Sequence, residues 1–309
     1  MKIVITEFMD IDAVRTLQDR FAVSHEPTLF DRRAELLALL ADATALIVRN
    51  RTQVDGELLA AAPRLRVVGR LGVGLDNIDV TACRARGIEV FPATGANALA
   101  VAEYVVASVM VLLRGAYLSG AAVAAGQWPR QALSEGRETA GRTLGLVGFG
   151  GIGQLTARLA QAIGMRVLAC DPLLAADAPA WAASGVAHRE LEPLLAESDA
   201  VSLHVPLTAQ TRGLIDANRI GLMKTQAVLI NTARGGIVDE AALAQALHSG
   251  KLAGAALDVF DHEPLAAGSP LATAPNLILT PHIGGVTRES NIRVSTLIAA
   301  KVADFLLTT

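Results

Sequence analysis

The chain predicts an α/β fold of two mainly parallel sheets with flanking helices, and three observations predict it. Residues 2 to 97 alternate short β-rich runs with helical runs, the pattern of a parallel sheet covered by helices. Leu144 to Asp171 reads as a strand, a glycine-rich turn, an amphipathic helix and a second strand ending in an acid. A last run, Arg288 to Leu307, repeats apolar residues at helical spacing and would return the chain to its first domain as a closing helix. At 309 residues there is length for two domains. The expected division is 1–98 with 286–309, interrupted by 99–285.

In order, the first domain has strands at 2–6, 21–24, 45–48, 65–69 and 88–91, with helical runs at 12–18, 36–40, 54–61 and 78–86 between them. A long helix from Ala98 to Tyr117 lines Val101, Val105, Val109 and Leu112 on one face and leads into a less regular arm, 118–142. Trp128 in that arm has two readings, an aromatic anchor for a subunit contact or ordinary local packing. The second domain continues with a helix carrying Ile152, Leu155, Leu159 and Ile163, then strands at 166–170, 200–203, 227–230, 254–257 and 277–280. Helices are expected at 191–195, 214–222 and 240–248, and six parallel strands in all.

Composition removes several classes of function. The mean hydropathy of +0.41 invites a membrane reading. The apolar residues are spread throughout, however, and the longest run, Ala98 to Leu113, contains Glu103 and falls short of a span. Met1 and Lys2 lead straight into a strand without the pattern of a signal peptide, so a soluble cytoplasmic protein is expected. The formal charge of −3 without a basic tract disfavours a nucleic-acid surface. Cys83 and Cys170 read as small core residues, and the six histidines show no zinc spacing, so no metal is expected.

The glycine-rich turn carries the first functional signal. Gly148 permits a tight turn, Gly150 lets backbone approach a pyrophosphate at a helix N-terminus beside Gly151 and Ile152, and Gly153 lets the helix pack closely on the strand. Asp171, 23 residues past Gly148, is placed to accept the ribose hydroxyls of NAD. A 2′-phosphate would meet its charge, and no Arg or Lys immediately follows to compensate. The bland alternative is a glycine-rich turn of some other α/β protein.

Polar residues concentrate in loops after strands, where parallel sheets place ligand sites. In the second domain these are His204, Val205, Pro206, Leu207 and Thr208; Asn231 to Gly236 with Thr232, Ala233 and Arg234; Asp258 to Pro264 with Glu263; and Pro281 to Gly285 with His282, Gly284 and Gly285. Oxidation of a secondary alcohol needs a group to take the hydroxyl proton, which His does near neutral pH, and a cation for a carboxylate, which Arg grips bidentately. A neighbouring carboxylate favours the protonated histidine. His282, Arg234 and Glu263 are the candidates. Singly, each has an ordinary explanation as a loop cap, a surface ion pair or a turn.

In the first domain Arg49 and Arg51 follow one strand, and Arg70, Val73 and Gly74 lie at the end of the next or in the loop after it. Two readings stand: an anion-binding surface, or a glycine-shaped turn with solvated arginines.

Over essentially its full length the chain resembles the D-isomer-specific 2-hydroxyacid dehydrogenases. The resemblance rests on the loop 148–153 with Asp171, the segment 204–208, Asn231 to Gly236, Asp258 to Pro264, Pro281-His282 with Gly284 and Gly285, and Gly72 to Asp79. It implies two Rossmann-like domains, a discontinuous substrate domain and an inserted NAD domain. It further implies His282 as acid/base, Glu263 as its partner and Arg234 as the carboxylate clamp. Backbone near Val73 and Gly74 would also hold the carboxylate, and Asp258 would contact the nicotinamide amide. Residues 205–208 and 232–234 would line the cofactor site, and the 98–142 region would build a homodimer.

Arg49, Arg51 and Arg70 suit a second anionic group, as in sulfolactate or 3-phosphoglycerate. The stretches 5–10 and 48–52 are similar to those of the sulfolactate branch, with glyoxylate/hydroxypyruvate reduction as the alternative. With 286–309 read as the return to the substrate domain, the C-terminal regulatory domain of longer phosphoglycerate dehydrogenases is not expected. A reading of another class is a non-catalytic, NAD-sensing corepressor-like protein, which the intact Arg234, Glu263 and His282 set disfavours.

Overall fold

The computed structural model describes residues 1–308, and the chain divides into two compact units, Met1–Asn97 with Val286–Thr309, and Ala98–Gly285. In the first, β1 (Lys2–Ile5), α1 (Ile11–Gln18), β2 (Ala22–His25), α2 (Arg33–Leu40), β3 (Ala45–Val48), α3 (Gly56–Ala61), β4 (Val67–Arg70), α4 (Val80–Ala85) and β5 (Glu89–Pro92) follow one another. The five strands pair in parallel in the order β2-β1-β3-β4-β5. Both faces of this sheet are covered, so a central strand needs no polar side: all four residues of β3 are buried. Aspartates start the helices. Asp10, Asp55 and Asp79 accept first-turn N–H groups at the heads of α1, α3 and α4, each cap contributing about 1 kcal/mol. Val54 and Ile78, expected to be helical, instead pair with each other in an isolated bridge just ahead of those caps.

The second unit contains α5 (Ala98–Arg114), α6 (Gly120–Ala124), β6 (Thr143–Val147), α7 (Gly151–Ala162), β7 (Arg166–Cys170), α8 (Pro179–Ser184) and β8 (Ala187–His188). It continues with α9 (Leu191–Glu197), β9 (Ala200–Leu203), α10 (Ala217–Leu222), β10 (Ala227–Asn231), α11 (Glu240–His248), β11 (Leu252–Leu257) and β12 (Leu277–Leu279). The sheet has seven parallel strands, not the expected six, in the order β12-β11-β10-β9-β6-β7-β8. The additional strand, β8, is two residues long and too short to show a period in sequence.

Three further expectations are corrected. Helix α5 stops at Arg114 and not at Tyr117, because Gly115 takes a left-handed φ of 69° and ends it. Helix α10 begins at Ala217, because Ile215 bridges Val238 and Asp216 supplies the cap. On α7 the apolar stripe Ile152, Leu155, Leu159 and Ile163 is only partly buried; Gly153, Thr156, Ala157 and Ala160 form the buried face. Small residues bring that helix close to its sheet. Trp181, on the unexpected α8, stacks on Phe149 at 4.8 Å between ring centroids.

The last helix, α12 (Arg288–Thr308), completes the first unit. Its Val294, Ile298, Val302 and Leu306 are buried with Ile3, Ile5, Ile47 and Val67 of the sheet. A Cβ at Gly69 of β4 would come within 2.6 Å of Ile298 Cγ2, so the missing side chain is what admits the helix. Among the described residues no single helix is long and apolar enough to cross a membrane.

Candidate active site

In the seven-stranded sheet the order reverses between the neighbours β6 and β9, the place where open α/β sheets receive ligands. Gly148 follows β6 with a φ of 100°, and a Cβ there would lie 2.8 Å from the carbonyl of His204, just past β9. A Cβ at Gly153 would press on the Gly148 oxygen at 2.4 Å. Both glycines are therefore required by the protein's own packing. Gly150 and Gly151 differ: a Cβ on either would meet nothing. Gly150 is also the N-cap of α7, with no side-chain cap bond, so no capping side chain occupies the first-turn N–H groups.

Asp171, at the end of β7, accepts Phe149 N at 2.8 Å with one oxygen and Leu173 N at 2.9 Å with the other. Each oxygen keeps a second lone pair for a ribose hydroxyl. His204 Nε2 and Thr232 Oγ1 are buried without a hydrogen-bond partner, and they follow the paired ends Leu203 and Asn231 of β9 and β10. Burial pushes the His204 imidazole down to about 4, keeping it neutral. Open glycine backbone at a helix N-terminus, a carboxylate one strand away and orphaned polar atoms along the same edge all fit a bound dinucleotide. Next along the chain, Val205 packs on the Gly148 side and Thr208 N donates to Thr211 Oγ1 at 2.7 Å, which in turn donates to Pro206 O.

The remaining loops are tied to one another. Buried Asn231 accepts from Ala233 N and donates to Arg234 O at 2.9 Å, shaping the turn that presents Arg234. Arg234 Nη1 donates to Ala233 O at 2.6 Å. A Cβ at Gly235 would fall 1.8 Å from Phe260 O, so the loop of Arg234 and the loop of Glu263 touch backbone to backbone. Glu263 Oε1 accepts Phe260 N at 3.1 Å, and its Oε2 lies 2.8 Å from His282 Nδ1. The Glu263–Pro264 peptide is cis. With Glu263 ionised, His282 carries its proton on Nδ1 and presents Nε2 for proton exchange.

His282 itself has a left-handed φ of 57°, an uncommon conformation for a side chain of this size. Asp258, 2% exposed, holds it there. Its main-chain oxygen accepts His282 N at 2.9 Å, and its carboxylate accepts Ile283 N, Gly284 N and Thr280 Oγ1 at 2.8, 2.7 and 2.7 Å. Because the Thr280 proton points at Asp258, its oxygen accepts from Tyr104 OH, 2.7 Å away on α5. The sequence reading did not include Tyr104, Thr280 or Asn231 among the site residues. They lack the pattern of reacting groups: Tyr104 and Thr280 act through hydrogen bonds between segments far apart in the chain, and Asn231 through bonds within its own turn. Asp258, expected to contact the nicotinamide, is engaged in the structure as an anchor of the 281–285 loop.

In the first unit, Arg49 and Arg70 stand at the paired carboxyl ends of β3 and β4. The Arg49 guanidinium donates to Asn291 Oδ1 at 3.0 Å and lies 5.9 Å from the Phe8 ring; burial pulls it below its ordinary pKa, and the Glu7 charge opposes this. Arg70 folds back over Gly72, occupying the space of the missing Cβ, and donates to Leu71 O. Val73 and Gly74 follow in the same loop, Val73 being exposed. Arg51 is turned elsewhere: it stacks on Phe30 at 3.8 Å and pairs with Asp31 at 3.3 Å. Cys83 is buried, and burial pushes the Cys170 thiol up to about 11, too high for a thiolate nucleophile.

A glycine loop opening a helix, a histidine–glutamate pair and an arginine on the loops after neighbouring strands are the combination expected of a nicotinamide-dependent dehydrogenase acting on a carboxylated alcohol. The chain belongs to the D-isomer specific 2-hydroxyacid dehydrogenases, whose NAD-binding domain matches residues 106–284. It is similar to the (S)-sulfolactate dehydrogenase of Chromohalobacter salexigens, 58% identical over 95% of this chain and 94% of that one. The D-3-phosphoglycerate dehydrogenase of Mycobacterium leprae is 44% identical over 87% of this chain, which spans 50% of that protein. Among solved structures, the D-lactate dehydrogenase of Aquifex aeolicus, complexed with NAD and lactic acid, superposes with a TM-score of 0.84 at 30% identity, covering 99% of this chain and 96% of that one. The protein is thus an NAD-dependent enzyme interconverting 2-hydroxyacids and 2-ketoacids.

Proposed function

We propose that the preferred substrate is a 2-hydroxyacid or 2-ketoacid bearing a second anionic group, with sulfolactate and its ketoacid as the leading candidates. The observation that carries this reading is the half-buried Arg49, held at Asn291 beside the strand end of Arg70. A guanidinium kept half out of water in a fixed orientation suits a sulfonate or phosphate better than a neutral substituent. The similarity to a sulfolactate dehydrogenase over nearly the whole of both chains supports the same choice.

Residues 1–98 and 286–309 form the substrate domain in this proposal, and 99–285 the NAD domain. Gly148 to Gly153 hold the pyrophosphate and Asp171 the ribose, with His204 to Thr208, Thr232, Ala233, Gly284 and Gly285 along the rest of the cofactor. NAD supplies the acceptor or donor of the hydride. Arg234 grips the substrate carboxylate, helped by backbone at Val73 and Gly74. In the reducing direction His282 Nε2 gives its proton to the carbonyl oxygen as C2 takes the hydride, and Glu263 steadies the imidazolium. In the oxidising direction Nε2 takes the hydroxyl proton back.

The protein acts as a homodimer through the 98–142 region, in which Tyr117 and Trp128 are 70% and 78% exposed and Leu118 and Val123 also face solvent. Kinetics on sulfopyruvate, phosphohydroxypyruvate, hydroxypyruvate, glyoxylate, pyruvate and oxaloacetate with NADH and NADPH test the proposal. The highest kcat/KM is expected for a doubly charged ketoacid with NADH. A preference for glyoxylate or hydroxypyruvate selects the alternative reading.

A further inference from the structure

In the five-stranded sheet the order reverses between the neighbours β1 and β3, so the ends of these strands mark the ligand-receiving edge of the first unit. Glu7 stands just past β1 and is 4% exposed. Its Oε1 accepts Arg49 N at 2.8 Å and Thr52 N at 3.0 Å, and its Oε2 accepts Asn50 N at 3.2 Å and Arg51 N at 3.1 Å. Four consecutive N–H groups of the loop after β3 thus converge on one carboxylate. From the carbonyl side, buried Asn77 Nδ2 donates to Arg49 O at 3.2 Å and Thr52 O at 2.7 Å. Thr6 and Thr52 join hydroxyls at 2.7 Å.

This arrangement decides how the loop can meet an anion. A turn with successive N–H groups pointing into one concavity is an anion-binding nest, and here the nest is filled by the protein's own side chain. A ligand anion is left with the side chains, of which Arg49 is fixed at its backbone by Glu7 and at its guanidinium by Asn291. Arg51, on the same loop, is directed to Phe30 and Asp31.

We infer that Glu7 is a positioning residue that sets specificity: by occupying the 49–52 nest it aims Arg49 at the second anionic group of the substrate. The inference rests on the proposed recognition of that group by Arg49. A carboxylate is required because each oxygen serves two N–H donors. A glutamine offers one oxygen and turns an NH2 toward the other pair of donors, freeing half of the loop.

The test compares Glu7→Gln, Glu7→Asp and Arg49→Ala with the wild-type enzyme, using NADH with sulfopyruvate as the doubly charged ketoacid and pyruvate as the singly charged one. Amide hydrogen exchange at residues 49–52 and thermal unfolding are followed in parallel. Glu7→Gln is expected to speed exchange at 49–52 and to raise KM for sulfopyruvate about tenfold or more with kcat nearly unchanged, while pyruvate kinetics stay within about twofold. Glu7→Asp keeps the charge on a shorter arm and is expected to fall between, which also serves if the glutamine variant does not fold. Equal losses on both ketoacids overturn the inference, as does an unchanged sulfopyruvate KM in a variant with loosened amides while Arg49→Ala raises it. An unchanged sulfopyruvate KM in Arg49→Ala overturns the second-anion reading itself, and the arginine variant alone identifies that outcome.

Discussion

His282 Nδ1 and Glu263 Oε2 lie 2.8 Å apart, each presented by its own loop, after β12 and β11 respectively. The pair fixes the tautomer of the imidazole, and the second oxygen of Glu263 is itself held by Phe260 N. Replacing Glu263 by Gln keeps the shape and removes the charge opposite the imidazolium. A fall in kcat of about 10²-fold is expected, against about 10²–10⁴-fold for His282→Asn. Steady-state kinetics with saturating NADH check this, and a Glu263→Gln enzyme with wild-type kcat would remove Glu263 from the site.

Tyr104→Phe removes one hydroxyl from the Tyr104–Thr280–Asp258 chain and nothing from its packing. Thr280 keeps its bond to Asp258, so the cost to unfolding is that of one net hydrogen bond, about 1 kcal/mol. Because Asp258 holds the backbone on both sides of His282, kcat is expected to fall several-fold while NADH affinity changes little. Denaturant titration and kinetics read the two effects separately.

Asp171→Asn keeps one acceptor oxygen, for Phe149 N and one ribose hydroxyl, turns an NH2 toward Leu173 N, and loses the charge that opposes a 2′-phosphate. Asp171→Arg inverts it. The ratio of kcat/KM for NADH over NADPH should fall in that order, and an unchanged ratio in both variants would show that cofactor choice lies elsewhere.

His204, driven down to about 4 by burial, makes folding depend on acid. The unfolded chain takes up a proton near pH 6.5 and the folded one only near pH 4, so the unfolded state binds more protons between these values. Stability therefore declines as pH falls from about 6.5 to 4, by up to about 3 kcal/mol. His204→Gln should flatten that part of the stability–pH curve, as measured by denaturant midpoints across the range.

Much of this molecule was legible because its loops follow from strands whose ends the sequence marks. The glycine loop, Asp171, Arg234, Glu263 and His282 are polar or glycine residues set after apolar runs, and that contrast survives without coordinates. Boundaries set by long-range pairing were less visible. Val54 and Ile78 look helical until each finds the other in a bridge. The α7 stripe misled because Gly153, Ala157 and Ala160, which carry little hydrophobic signal, are the buried face. Glu7 and Tyr104 were unreadable for a different reason. Each acts through partners more than 40 residues away in the chain, and nothing local distinguishes a buried carboxylate that organises four amides from a solvated one.

The packing of α12 against Gly69 has a consequence for synthesis on the ribosome. One face of the first sheet is formed by residues made early, yet the helix that covers it is made after the whole of the second unit. At about 5–20 residues per second that interval is on the order of 10–40 s. Throughout it, the nascent sheet lacks the cover of α12 over Ile3, Ile5, Ile47 and Val67, and the docking of that helix is the step that ends the exposure.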